Sequence, residues 1–221
     1  MKLGILFLHH TNCEVTRNNL KVVQRYNPGA TVVTMSADDP LPGGYSLNAT
    51  ADLKTIHSEL PKRREDSLVC SWFLQKRESC DKWFIMEWDA YCEMSVAEYY
   101  KCVWQYPFVA SSVCLLNREP NWHWFKKVEN IPEGYLPYVM GALPFLFLLS
   151  EFALEATCRM LIENPFTSGN SELRFATAAN RCGFPPCGFS PPNDQITWRP
   201  LNRVNGTRTI FHPVKHVVDY R

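Results

Sequence analysis

Two carboxylates separated by a single residue, in Glu87-Trp88-Asp89, directly follow the apolar run Trp83-Phe84-Ile85-Met86. Side chains of an extended segment alternate with period 2, so acids at this spacing point the same way and could share a divalent ion or its water shell. Hard oxygen donors suit Mg2+ or Mn2+, which keep open positions for phosphate oxygens. Two solvated acids at the start of a loop have the same spacing. In Asn170-Ser171-Glu172, Glu172 stands at the start of an expected helix, where free backbone N–H groups and the helix dipole hold a carboxylate in place to accept a proton. An ordinary acidic first turn reads identically. Glu151, after an apolar run, is the rival general base. His212, in Thr209-Ile210-Phe211-His212-Pro213-Val214, is a lone histidine in a late strand, with His216 as second candidate. Imidazole fits Mn2+ better than Mg2+.

Ligands of open α/β sheets bind at the carboxyl ends of strands, so the elements that carry these residues matter. Leu3 to Leu8 is uninterrupted apolar sequence, as expected for a strand covered on both faces. Leu20, Val22, Val23 and Tyr26 form one side of a helix ended by Asn27-Pro28-Gly29, and a second buried strand runs from Ala30 to Met35. The right-handed crossover of such a βαβ unit implies a parallel sheet. A helix carrying Leu68, Val69, Trp72 and Phe73 leads into the Trp83–Met86 strand. Ser95 and Glu98 form a capping box for a short helix, and Phe108 to Leu116 is another strand. In the second half, Gly141-Ala142-Leu143-Pro144 opens a helix expected to reach about Ile162, and a further helix runs from Ser171 to Gly183. Asn205-Gly206, between Gln195–Val204 and Thr207–Val214, marks a C-terminal hairpin. The expected fold is a three-layer α/β/α arrangement with a mostly parallel central sheet, in one domain over residues 1–221.

Glu87-Trp88-Asp89 resembles the metal-binding Asp-x-Asp signature of GT-A glycosyltransferases, which use nucleotide-sugar donors. The resemblance follows most of the chain in order: a βαβ start, the acidic signature after a middle strand, an acidic helix start and a late histidine. It implies that Asp89 ligates the metal directly, that Glu87 does so directly or through water, and that His212 completes the coordination. Inverting members look like an acid at a helix start, then an Arg near the helix end, then Gly and an aromatic. Glu172, Arg181, Gly183 and Phe184 follow that order, which makes Glu172 the base. The family pattern also implies that the first loop, with His9, His10 and Thr11, surrounds the base and ribose. Asp38 or Asp39 would then accept hydrogen bonds from the nucleotide.

Lys62, Arg63 and Arg64 could neutralise a diphosphate, although a charge run beside a helix is also a solvated face. Trp88, Trp122 and Trp124 are the better sugar-platform candidates, ahead of Tyr91 and Tyr135. The resemblance thus implies an Mn2+- or Mg2+-dependent enzyme that moves a sugar from a nucleotide diphosphate sugar, by default a UDP-sugar, to a glycan acceptor hydroxyl with inversion. Residues 1–116 would bind the nucleotide and residues 117–221 would shape the sugar and acceptor pockets. Two alternatives share some of these features. A nucleotidyltransferase usually carries a Gly-rich phosphate loop, which Leu8-His9-His10-Thr11-Asn12 is not. A noncatalytic carbohydrate-binding module would account for the aromatics alone.

The 23 Lys and Arg residues nearly cancel the 22 Asp and Glu residues, and a formal charge of +1 gives no field for a nucleic-acid partner. The longest apolar stretch, Ala142 to Leu149, is far shorter than the roughly 20 residues of a membrane helix and reads as core. The N-terminal apolar run stops at His9-His10 without a small-residue cleavage site, so it reads as a strand rather than a signal peptide. Nine cysteines, an odd number, point to free thiols and a reducing, cytoplasmic compartment. The sequons at Asn48 and Asn205 would then go unused. Cys182 and Cys187 lack a second Cys/His pair for zinc. The chain is expected to be a soluble enzyme or the catalytic domain of a longer polypeptide.

Overall fold

The computed structural model of the protein describes residues 2–36, 39–46, 65–75, 78–123, 125, 131–166, 168–191, 195–197, 201 and 210–218. The N-terminal apolar run forms β1 (Leu3–His9), α1 (Glu14–Tyr26) follows, and β2 (Thr31–Ser36) completes the βαβ unit. Next come β3 (Tyr45–Ser46), α2 (Glu65–Gln75), β4 (Lys82–Glu87), β5 (Tyr91–Cys92), α3 (Val96–Tyr99) and β6 (Phe108–Leu115). The second half holds β7 (Met140–Ser150), α4 (Glu151–Glu163), α5 (Ser171–Arg181), β8 (Cys187–Gly188), β9 (Gln195–Ile196) and β10 (Ile210–His212).

Seven strands form one sheet in the order β3-β2-β1-β4-β7-β6-β8. The pairs β3–β2, β2–β1, β1–β4 and β6–β8 are parallel, and only β7 runs against its neighbours. Alternation divides the strands between two buried faces. Leu6, Leu8, Ile85, Phe147 and Leu149 join a core with residues of α2, α4 and α5. Ile5, Phe7, Phe84, Met86 and Leu148 join a second core with Val23 of α1 and Val96 of α3. Helices therefore cover both faces, giving the three layers expected. Each such buried side chain contributes about 1.5–3 kcal/mol, which explains why the central strands read as unbroken apolar runs.

Two expectations are corrected. The Gly141–Leu149 stretch is strand β7, not the start of a helix; the helix begins only at Glu151, with Ser150 Oγ accepting from Ala153 N–H at 3.2 Å. A strand buried on both faces has no helical or alternating period to betray it. Pro144 is tolerated because the β6–β7 register shifts between Ala110 and Ser112, so a residue without an N–H falls in an irregularity of the ladder. The C-terminal strands do not form a hairpin either. β10 pairs with β9 in parallel, Phe211 opposite Gln195, and antiparallel with β5, Phe211 opposite Tyr91. Asn205-Gly206 lies outside the described residues. No described helix is long and apolar enough to cross a membrane.

Candidate active site

The parallel strands β1, β2 and β4 end together, because Leu8 is in register with both Met35 and Glu87. Their carboxyl ends deliver the first loop, Asp39 after β2 and the acidic segment after β4 to one edge of the sheet. The Glu87 segment is not extended: the Ala90 N–H donates to the Glu87 carbonyl at 3.0 Å, closing a turn. Both carboxylates nevertheless converge. His212 Nε2 lies 3.2 Å from Glu87 Oε2 and 3.2 Å from Asp89 Oδ1, and donor atoms of the three residues lie within 4.8 Å of one another.

Alternation along β10 accounts for the histidine's position. Phe211 is fully buried against Tyr91, so its neighbour His212 faces the opposite side, toward the acids. The C-terminal segment is held there by the Val214 N–H, which donates to the Asp89 carbonyl at 2.7 Å. Lys215 follows, its Nζ 3.6 Å from Asp89 Oδ2 and 5.8 Å from the Trp88 ring centroid. Burial alone would lower the His212 pKa, but hydrogen bonds to Asp89 and Glu87 and the charges of both acids outweigh it and raise it to about 9. Its Nδ1 is buried and has no hydrogen-bond partner. Two carboxylates and one imidazole are a mixed oxygen and nitrogen donor set that fits Mn2+, and Mg2+ less well. His216 is not part of the cluster.

Of the residues expected around a nucleotide, His9, His10, Asp39 and Trp88 lie at the same edge. His9 is buried at the end of β1; burial lowers its pKa, and Nδ1 lies 3.3 Å from the Thr11 carbonyl. His10 meets Trp88 edge-on with ring centroids 4.9 Å apart. Asp39 Oδ2 accepts from the Asn12 N–H at 2.8 Å, tying the first loop to the end of β2. Asp38, Lys62, Arg63, Arg64 and Trp124 lie outside the described residues.

Glu172 is at the first turn of α5. Asn170 caps the helix, its Oδ1 accepting from the Leu173 N–H at 3.0 Å, while its Nδ2 donates to Glu172 Oε2 and holds that carboxylate. At the other end Gly183, with φ +85°, closes a Schellman motif: its N–H donates to Asn180 and the Phe184 N–H donates to Ala179. The start of α5 is anchored by a buried two-point ion pair, Arg174 Nε to Asp66 Oδ2 at 2.7 Å and Nη2 to Oδ1 at 2.9 Å. Beside it the Ser171 hydroxyl donates to Glu65 Oε2 at 2.6 Å. Burial, reinforced by the charge of Glu87, pushes Glu65 up to about 7.

Glu172 and His212 line one cleft of about 260 Å³, together with Ser112, Glu119, Trp122 and Pro144. Glu151, the rival base, is elsewhere. It begins α4 at the opposite end of β4 from Glu87, where its Oε2 accepts from Trp83 Nε1 and from the Cys80 N–H at 3.4 Å. Of the aromatic candidates, Tyr91 and Tyr135 are buried in the core. Glu65, Lys215 and Glu119 carry no signal in the sequence, since no local pattern marks residues brought together only by the fold.

No protein-family model matches the chain, and no curated protein matches it in sequence. Among solved structures, a galactosyltransferase LgtC crystallised with donor and acceptor sugar analogues is 11% identical, with a TM-score of 0.45 over 87% of this chain and 75% of that one. A structure of an active-site mutant of LgtC gives 0.44 at the same identity and coverage. Likenesses this distant carry no argument about the site, whose reading rests on its own geometry.

Proposed function

We propose that this chain is a metal-dependent glycosyltransferase that transfers a sugar from a nucleotide diphosphate sugar, by default a UDP-sugar, to an acceptor hydroxyl with inversion. The observation that carries this reading is the meeting of Glu87 and Asp89, at the carboxyl end of β4, with His212, which itself lines a cleft that Glu172 also lines. Those three residues would hold the ion, which when bound neutralises charge developing on the leaving diphosphate. Lys215 adds a fixed positive charge beside Asp89. The first loop and Asp39 form the nucleotide side of the site.

On the acceptor side, Glu172 takes the proton of the attacking hydroxyl. The acceptor oxygen forms its bond to the anomeric carbon from the face opposite the leaving group as the bond to the diphosphate breaks. One displacement needs no covalent intermediate. Asn170 keeps the Glu172 carboxylate oriented, and the Asp66–Arg174 pair fixes the helix that presents it. The test is a panel of nucleotide sugars assayed for Mn2+-dependent hydrolysis and transfer, with Asp89→Ala and Glu172→Gln compared. Both variants should lose at least about 100-fold in turnover, the scale of a lost acid–base group. Folded variants with wild-type turnover would overturn the assignment.

A further inference from the structure

The lining of the cleft beyond His212 is of two chemical kinds. Trp122, Leu143 and Pro144 supply apolar surface, whereas Glu119 and Glu172 supply carboxylates and Ser112 a hydroxyl. Its volume of about 260 Å³ falls below the roughly 300–1,000 Å³ of pockets for drug-sized ligands, and so suits one ring. The apolar surface is preorganised. Trp122 lies against Gly141, where an added Cβ would collide with the indole, and it meets Phe125 edge-on at 4.7 Å.

Glu119 is equally fixed. Its N–H donates to the Leu115 carbonyl at 2.8 Å, its own carbonyl accepts from the Trp122 N–H at 2.9 Å, and its carboxylate is hydrogen-bonded to Cys114. An indole and acceptor-only carboxylates lining one cleft match a pyranose, which offers a C–H face to an aromatic ring and O–H donors at its rim. None of the described residues lining the cleft is a lysine or arginine. A sugar bearing its own carboxylate would meet two like charges there, and His212, the cation on the lining, is already engaged by Glu87 and Asp89.

We propose that this cleft is the acceptor subsite for a single uncharged hexopyranose ring, and that Glu119 determines specificity by accepting from ring hydroxyls and turning away acidic sugars. The subsite rests on the transferase reading, in which Glu172 serves as base; Glu119 touches the ring but not the reacting hydroxyl.

The test is saturation-transfer NMR on the full chain without donor, using methyl glucopyranoside, galactopyranoside and mannopyranoside against methyl glucuronopyranoside. At least one hexoside should bind the wild type with a signal at least fivefold above the glucuronide. Glu119→Gln should cut that preference at least fivefold, chiefly by admitting the glucuronide, and Glu119→Asp should restore most of it, at unchanged Tm. No hexoside binding, or a preference indifferent to Glu119→Gln, overturns the subsite. Mn2+-dependent hydrolysis of nucleotide sugars to water, measured separately on the wild type, keeps the two readings apart. Hydrolysis without hexoside binding sinks the subsite alone, while Glu119-dependent hexoside binding without hydrolysis leaves a hexose-binding cleft but overturns its acceptor role together with the transferase reading.

Discussion

His212 shows how the proposed metal-ligand set is held before an ion arrives. Its imidazolium stands between Glu87 and Asp89, and their hydrogen bonds and charges overcome the burial that would otherwise discharge it, raising the pKa from 6.5 to about 9. The folded pKa lies above the unfolded one, so this contribution is fully present below pH 6.5 and is lost as pH rises through about 9. The difference corresponds to roughly 3 kcal/mol. Urea unfolding of metal-free protein should therefore show wild type well above His212→Gln at pH 6, with the gap closing by pH 9.5. A gap independent of pH would mean that the imidazolium is not the group bridging the acids. An ion entering the same place must displace that proton, so metal affinity should rise with pH over the same window.

At the level of elements, the start of α5 carries Glu172, and its placement depends on an ion pair between two helices. Arg174 and Asp66 are both about 1% exposed and joined at two points, so removing one partner leaves an uncompensated buried charge. Asp66→Ala should cost about 3–5 kcal/mol, read by urea unfolding, far more than an exposed pair such as Glu155–Arg159. A loss below about 1 kcal/mol would show that α5 is held by apolar packing alone. How legible such elements are depends on what surrounds them. β1, β2 and β4 could be read because they are short apolar runs bounded by turn residues, and α5 because Asn170 and Gly183 punctuate it. β7 could not, since burial on both faces erases the period and its Gly and Pro imitate a helix start. The pairing of Glu87 with Asp89 was legible as spacing although a turn, not an extended strand, brings them together. Glu65, Glu119 and Lys215 carry no local signal, because their proximity to the site arises only when distant elements pack.

Over the whole molecule, a formal charge of +1 conceals an uneven distribution. Asp39, Glu87 and Asp89 cluster at the carboxyl ends of β2 and β4, with Glu65 close enough to feel Glu87 and with Lys215 and His212 as the cations in contact with the acids. Among the described residues that edge carries net negative charge, so under the proposed function a divalent ion would have to reverse the local sign before a nucleoside diphosphate could settle. Diphosphate binding should therefore be conditional on metal. Thermal unfolding with UDP or GDP alone should move Tm little, whereas the same nucleotide with Mn2+ at about 100 times its Kd should add about 2.7 kcal/mol. For a chain of this length that is a rise of roughly 5–10 °C. Asp89→Ala should abolish the metal-dependent part and Glu172→Gln should keep it, because Glu172 lines the proposed acceptor cleft and is not part of the Glu87–Asp89–His212 cluster. Equal stabilisation with and without Mn2+ would mean that the acidic edge is not where the nucleotide binds, and the transferase reading would lose its donor site.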